Sequence, residues 1–63
     1  MNKQEVLKYG ISVFNKEGVK FSRWLTKPNL SLGNKTPNEL LESEEGLREV
    51  KNCLDRIEYG TFS

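Results

Sequence analysis

The 63-residue sequence predicts an all-α protein, a small compact bundle of about four helices with a Pro/Gly-containing central loop. Three observations predict it. Apolar residues recur at helical spacing on either side of the middle of the chain. Both prolines and the only Trp fall in one stretch, Trp24 to Leu41, where the chain must turn. Cap signatures stand where helices should begin.

The first helix is expected from Lys3 to Phe14. Leu7, Ile11 and Phe14 are spaced i, i+4, i+7 and share a face, with Val6, Gly10 and Val13 in the adjoining row. Gly10 costs this helix about 1 kcal/mol relative to Ala unless a neighbouring helix packs closely on it. Asn15 then reads as an N-cap, with Glu17 in the first turn of a second helix from about Lys16 to Thr26. Phe21, Trp24 and Leu25 form its apolar face, and Pro28 stops it by disfavouring helical geometry at Lys27.

Between Asn29 and Lys35, Ser31, Gly33 and Asn34 are turn formers, and Leu30 and Leu32 are apolar pegs expected to pack down on the helices. Thr36, Pro37, Asn38 and Glu39 make the clearest local signal, a capping box with Pro at the first helical position. It opens a short helix containing Leu40 and Leu41. Ser43 caps the last helix, whose first turn is acidic. Leu47, Val50, Leu54 and Ile57 give that helix a core stripe beside Cys53. Arg48, Glu49, Lys51, Asp55 and Arg56 are assigned to the opposite face, with Glu44 and Arg48 in a favourable i, i+4 order. Gly60 reads as the C-terminal stop, and Thr61, Phe62 and Ser63 remain as a tail.

At this length a single domain spanning residues 1–63 is expected, because domains usually run to roughly 100–200 residues. A chain so short buries only about 60% of its unfolded surface, so a partner or a second copy would help it. Ten Lys and Arg against nine Asp and Glu give a net charge of +1, too little to draw nucleic acid by bulk charge. Lys27, Lys35 and Lys51 read as solvated charge, and no basic-aromatic stacking platform accompanies them. One cysteine allows no intrachain disulfide, and no run reaches the roughly 20 apolar residues that span a bilayer. A cytoplasmic protein without membrane association is expected.

The sequence has no His, one Cys and one Asp. Ser-His-Asp and Cys-His arrangements and the common zinc sets are therefore impossible. No glycine-rich phosphate loop is present. Neither catalysis nor a cofactor is expected. Trp24 carries two readings, a core anchor between helices or an interface hot spot. If its whole ring is core, truncation to Ala costs about 3–5 kcal/mol. Cys53 reads as a small core residue. Ile57, Tyr59 and Phe62 bring apolar surface to the chain's end, where polarity and fraying are usual. They either fold back on the core or are presented to a partner.

TrpLeu at 24 and 25, Pro28 and Asn29, LeuGly at 32 and 33, ThrPro at 36 and 37, LeuLeu at 40 and 41, GluGly at 45 and 46, and ArgIleGluTyrGly at 56 to 60 together resemble the toxin-binding domain of the MbcA/ParS/Xre antitoxins. The likeness runs from about the first helix to the last residue. It implies a bacterial module that binds and neutralises a RES-domain toxin, an enzyme that consumes NAD or uses it for ADP-ribosylation. It further implies that the C-terminal end approaches the toxin's active-site entrance, through Arg56, Tyr59, Gly60, Thr61, Phe62 and Ser63. Trp24, Pro28, Leu32, Gly33, Thr36, Pro37 and Leu40 would then be mostly fold determinants. Many members of that family carry an N-terminal helix-turn-helix domain. This sequence begins almost at the toxin-binding part, so no such domain and no direct DNA binding are expected. The alternative reading is a small homodimeric or nucleic-acid-associated regulator without a toxin partner.

Overall fold

The computed structural model describes residues 1–60. Among them the chain forms helices α1 (Lys3–Val13), α2 (Gly18–Thr26), α3 (Pro37–Leu40) and α4 (Glu44–Glu58), with a 3-10 turn at Leu30–Leu32. α4 is the axis. Its 15 residues extend about 22 Å at 1.5 Å each, nearly the full depth of a body measuring 26 × 24 × 21 Å. The core joins Val6, Phe21, Leu41, Leu47, Val50 and Leu54, with Leu7, Ile11, Phe14, Trp24, Leu25 and Leu40 packed around them.

Most helix starts are fixed by short polar side chains that satisfy otherwise unpaired amides. The Thr36 capping box is present: the Glu39 N–H donates to Thr36 Oγ1 at 3.2 Å and the Thr36 N–H to Glu39 Oε2 at 2.8 Å. Ser43 Oγ accepts from the Gly46 N–H at 3.0 Å. A second capping box, unread in the sequence, opens α1, where Asn2 Oδ1 accepts from Glu5 and Glu5 Oε1 accepts from Asn2. The pattern Asn-x-x-Glu before an apolar run was its signal.

The link between α1 and α2 corrects one expectation. Asn15 caps nothing; it ends α1. The Lys16 N–H donates to the Ile11 carbonyl at 2.7 Å and the Asn15 N–H to that of Ser12 at 3.0 Å. These are the paired bonds of a Schellman stop, with Asn15 at φ 56 in the left-handed position that Asn tolerates. Lys16 follows at φ 63. Two left-handed residues cannot begin a helix, so α2 starts later, at Gly18, with Glu17 in the cap position and no side-chain cap bond. Glu17 is held instead by Lys20, 3.1 Å away.

Gly10 proves to be the site of close approach that its helical cost required. A Cβ built there would lie 2.3 Å from Phe21 Cζ, so the ring of α2 rests directly on the backbone of α1. Phe21 also meets Phe14 at 5.4 Å and Trp24 at 6.2 Å between ring centroids.

After α2 the chain extends at Lys27 (ψ 138), as a following proline demands. The segment from Asn29 to Lys35 closes on itself: the Asn29 N–H donates to the Lys35 carbonyl at 3.0 Å, and Gly33 turns the chain at φ 69. Leu32 is the peg that packs down. Leu30 is not, since it is 88% exposed. A three-residue turn of 3-10 pitch cannot aim both leucines at the core.

Candidate partner-binding face

At the C-terminal end of α4 the apolar stripe leaves the core. Leu47, Val50 and Leu54 are buried, but Ile57 is 46% exposed and Tyr59 is 77% exposed. This corrects the reading of Ile57 as a core residue. Along the last turn of α4 burial gives way to exposure, from Cys53 and Leu54, which are buried, to Arg56, Ile57, Glu58 and Tyr59, which are exposed. Gly60 ends the helix at φ 59, the left-handed geometry that glycine adopts without strain. Arg56 is exposed beside Ile57.

Trp24 stands next to this end. One part of the indole is covered by Phe14 and Phe21, with centroid separations of 5.8 and 6.2 Å. The rest borders a groove shared with Asn29, Ser31, Cys53, Arg56 and Ile57. The ring is therefore half-buried, both anchor and surface. Trp24→Ala is expected to cost about 2 kcal/mol, below the 3–5 of a fully buried aromatic ring, while leaving a cooperative urea unfolding transition. Loss of that transition would mean that the ring is wholly structural. Cys53, on the same wall, is buried. Burial pushes its thiol pKa up, with Arg56 opposing in part, so a neutral thiol of low reactivity faces the groove.

The last turns of α4 are held to α1 by a polar clamp that sequence reasoning missed. Tyr9 Oη donates to Asp55 Oδ1 at 2.5 Å, Lys51 Nζ donates to Asp55 Oδ2 at 3.0 Å, and the ammonium lies 5.8 Å from the Tyr9 ring centroid. Lys51 and Asp55, assigned to the solvent face, are in fact half-buried against α1. The spacing Lys51 to Asp55 was visible as i, i+4, but Tyr9 lies 46 residues away in sequence and nothing local joins them. The expected Glu44–Arg48 pair is absent among the ion pairs of the described residues, which are Lys3–Glu42, Lys20–Glu17 and Lys51–Asp55.

The clamp has a pH signature. The Tyr9 hydroxyl first, then Lys51, hold the Asp55 carboxyl below the usual carboxylate range. A depressed folded pKa adds stability above the unfolded value of about 3.9 and loses it as pH falls through the folded value. The same bond raises the Tyr9 phenol above its ordinary value. That share is complete below about pH 10 and is lost as pH rises through the folded value. Tyr9→Phe is expected to lower the melting temperature near neutrality and to flatten the fall in stability below about pH 4. Thermal melts across the acid range test this, and an unaltered acid slope would refute it.

Of the residues that the resemblance implicates, Arg56, Tyr59 and Gly60 lie together at the end of α4, while Thr61, Phe62 and Ser63 lie outside the described residues. Trp24 and Leu40 are half-buried, Leu32 and Pro37 are buried, and Pro28 is exposed at the α2 exit. Gly33 and Thr36 hold the turn and the cap already described. Among the described residues no helix is long and apolar enough to cross a membrane.

Residues 10–60 match the family model of the antitoxin Xre/MbcA/ParS C-terminal toxin-binding domain. The curated relatives include Antitoxin Xre of Photorhabdus laumondii subsp. laumondii and Antitoxin Xre of Yersinia enterocolitica serotype O:8 / biotype 1B. Each is 34% identical over 58 residues, which cover 92% of this chain and 39% of the relative. The chain thus spans about two fifths of the length of these relatives. No solved structure matches it. The matched span runs from the glycine under the Phe21 ring to the glycine that ends α4, and the chain belongs to the Xre/MbcA/ParS antitoxin C-terminal toxin-binding domain family.

Proposed function

We propose that this chain is the toxin-binding module of a bacterial, cytoplasmic antitoxin, that its cognate toxin is a RES-domain enzyme acting on NAD, and that it covers the toxin's active-site entrance with its C-terminal end. Arg56, Tyr59, Gly60, Thr61, Phe62 and Ser63 make the contact. The module performs no chemistry of its own; it occludes. The observation that carries this reading is the end of α4, where Ile57 and Tyr59 are exposed beside Arg56 on a helix anchored to α1 through Asp55. Exposed apolar and aromatic side chains at an interface centre supply most of its binding energy, and a rigid support lowers the ordering cost of binding.

Deleting residues 59–63 tests it. The truncated chain is expected to keep its helical circular dichroism, because among the described residues every core residue precedes position 59. It is also expected to lose co-purification with the RES-domain protein of the same operon. A truncated chain that still binds that protein and still protects cells would overturn the mechanism.

A further inference from the structure

The groove beside Trp24 has a volume of about 310 Å³ and lies between the start of the 3-10 turn and α4. Among the described residues its walls carry one formal charge, the Arg56 guanidinium, and no carboxylate. On the other side of the turn, a second groove sets Lys35 against both Glu45 and Glu49, so the described residues that line it carry a net negative charge. Arg56 takes part in none of the ion pairs of the described residues. Glu49 borders an adjoining cavity with Arg56 without pairing with it.

Around that cation the surface is apolar on two sides. Part of the Trp24 indole and Ile57 form wall, and Leu30, 88% exposed, stands between the wall residues Asn29 and Ser31. Asn29 Oδ1 already accepts from the Ser31 N–H, which leaves the Asn29 amide group and the Ser31 hydroxyl as donors on the same edge. A guanidinium with neighbouring neutral donors matches a carboxylate, which it can bind in bidentate fashion. One arginine also balances the single charge of a carboxylate, whereas a phosphate carries about −1.5 to −2.

We propose that this groove receives a segment of the toxin in which an Asp or Glu side chain stands next to an apolar one. The carboxylate pairs with Arg56, and the apolar side chain packs on Trp24 and Ile57. This assignment rests on the toxin-binding reading and adds the chemistry that the partner must present.

Trp24 is the only tryptophan, so incorporating 5-fluorotryptophan gives the chain one ¹⁹F resonance, located in the groove. The labelled chain is titrated with the unlabelled RES-domain protein of its operon, and complex formation is followed separately by light scattering. The resonance is expected to shift in step with the complex. Arg56→Gln, an exposed substitution whose fold is verified by circular dichroism, is expected to weaken binding by about tenfold or more and to reduce its salt dependence. Ile57→Ser is expected to weaken binding with its salt dependence unchanged. A complex that forms with the resonance unmoved, or that Arg56→Gln leaves equally tight at every salt concentration, overturns the groove assignment and leaves toxin binding standing. No complex with the unmodified chain overturns both.

Discussion

Gly46→Ala is expected to lower stability by about 3 kcal/mol or more, enough to leave a domain of this size largely unfolded at 37 °C. Local propensity argues the other way. Gly46 sits in the first turn of α4 with ordinary helical geometry, and replacing Gly by Ala in a helix is usually worth up to about 1 kcal/mol. Packing decides the sign. A Cβ at Gly46 would lie 1.9 Å from the Leu40 carbonyl oxygen and 2.7 Å from its carbon, and both are backbone atoms that cannot rotate away. Relief requires α3 to lift from α4, and the buried Pro37 and Leu41 move with it. Overpacking of side chains typically costs about 1–3 kcal/mol, and a backbone obstacle lies at or above that range. Gly18→Ala is the control. Nothing lies within 4 Å of its added Cβ, so a gain of a few tenths to about 1 kcal/mol is expected there. Chemical denaturation of the two variants separates the effects, and a Gly46→Ala protein as stable as the parent would refute the close approach.

That contrast shows which parts of this molecule the sequence makes legible. Thr36, Pro37 and Glu39 are close in sequence and settle their own geometry, so the cap and the start of α3 can be read directly. The stripe Leu47, Val50, Leu54 likewise follows from helical period alone. Gly10 announced a close approach through its helical cost, though not which ring would fill it. Gly46 carries the same helical cost in the first turn of α4, but nothing local names the Leu40 carbonyl that presses on it from α3. Asn15 misleads for a physical reason: the side chain that makes Asn a good N-cap also lets it adopt the left-handed conformation of a helix stop, and only the bonds from Lys16 to Ile11 and from Asn15 to Ser12 decide between them. At the candidate face, the apolar Ile57 and Tyr59 are legible near the chain's end, whereas Arg56 reads as ordinary solvated charge and is singled out only by the family resemblance. The clamp from Tyr9 to Asp55 and the meeting of Trp24 with Ile57 are products of tertiary packing, and a single sequence holds no local trace of either.

Leu54→Ala is expected to abolish the folded state under conditions where Ile57→Ala leaves it intact. The two positions are three residues apart on one helix and read as members of one stripe, so the difference between them measures how far the core extends along α4. Leu54 is 0% exposed and sits in the cluster with Val6, Phe21 and Val50. Truncating a buried Leu removes its transfer free energy and leaves a cavity, together about 2–5 kcal/mol. A chain of this length has a total stability of only about 3–9 kcal/mol at 0.05–0.15 kcal/mol per residue. Ile57 is 46% exposed, so roughly half of its side chain has nothing to lose on truncation, and a cost near 1 kcal/mol follows. Binding should rank the pair in the opposite order. Ile57→Ala is expected to stay folded yet bind the toxin more weakly, because its exposed half belongs to the proposed interface rather than to the core. Urea melts of both variants, followed by a titration of Ile57→Ala with the RES-domain protein, read the two quantities independently. If both variants lose stability equally, the core continues to the end of α4, and the apolar end of the chain is packing surface rather than a face offered to a partner.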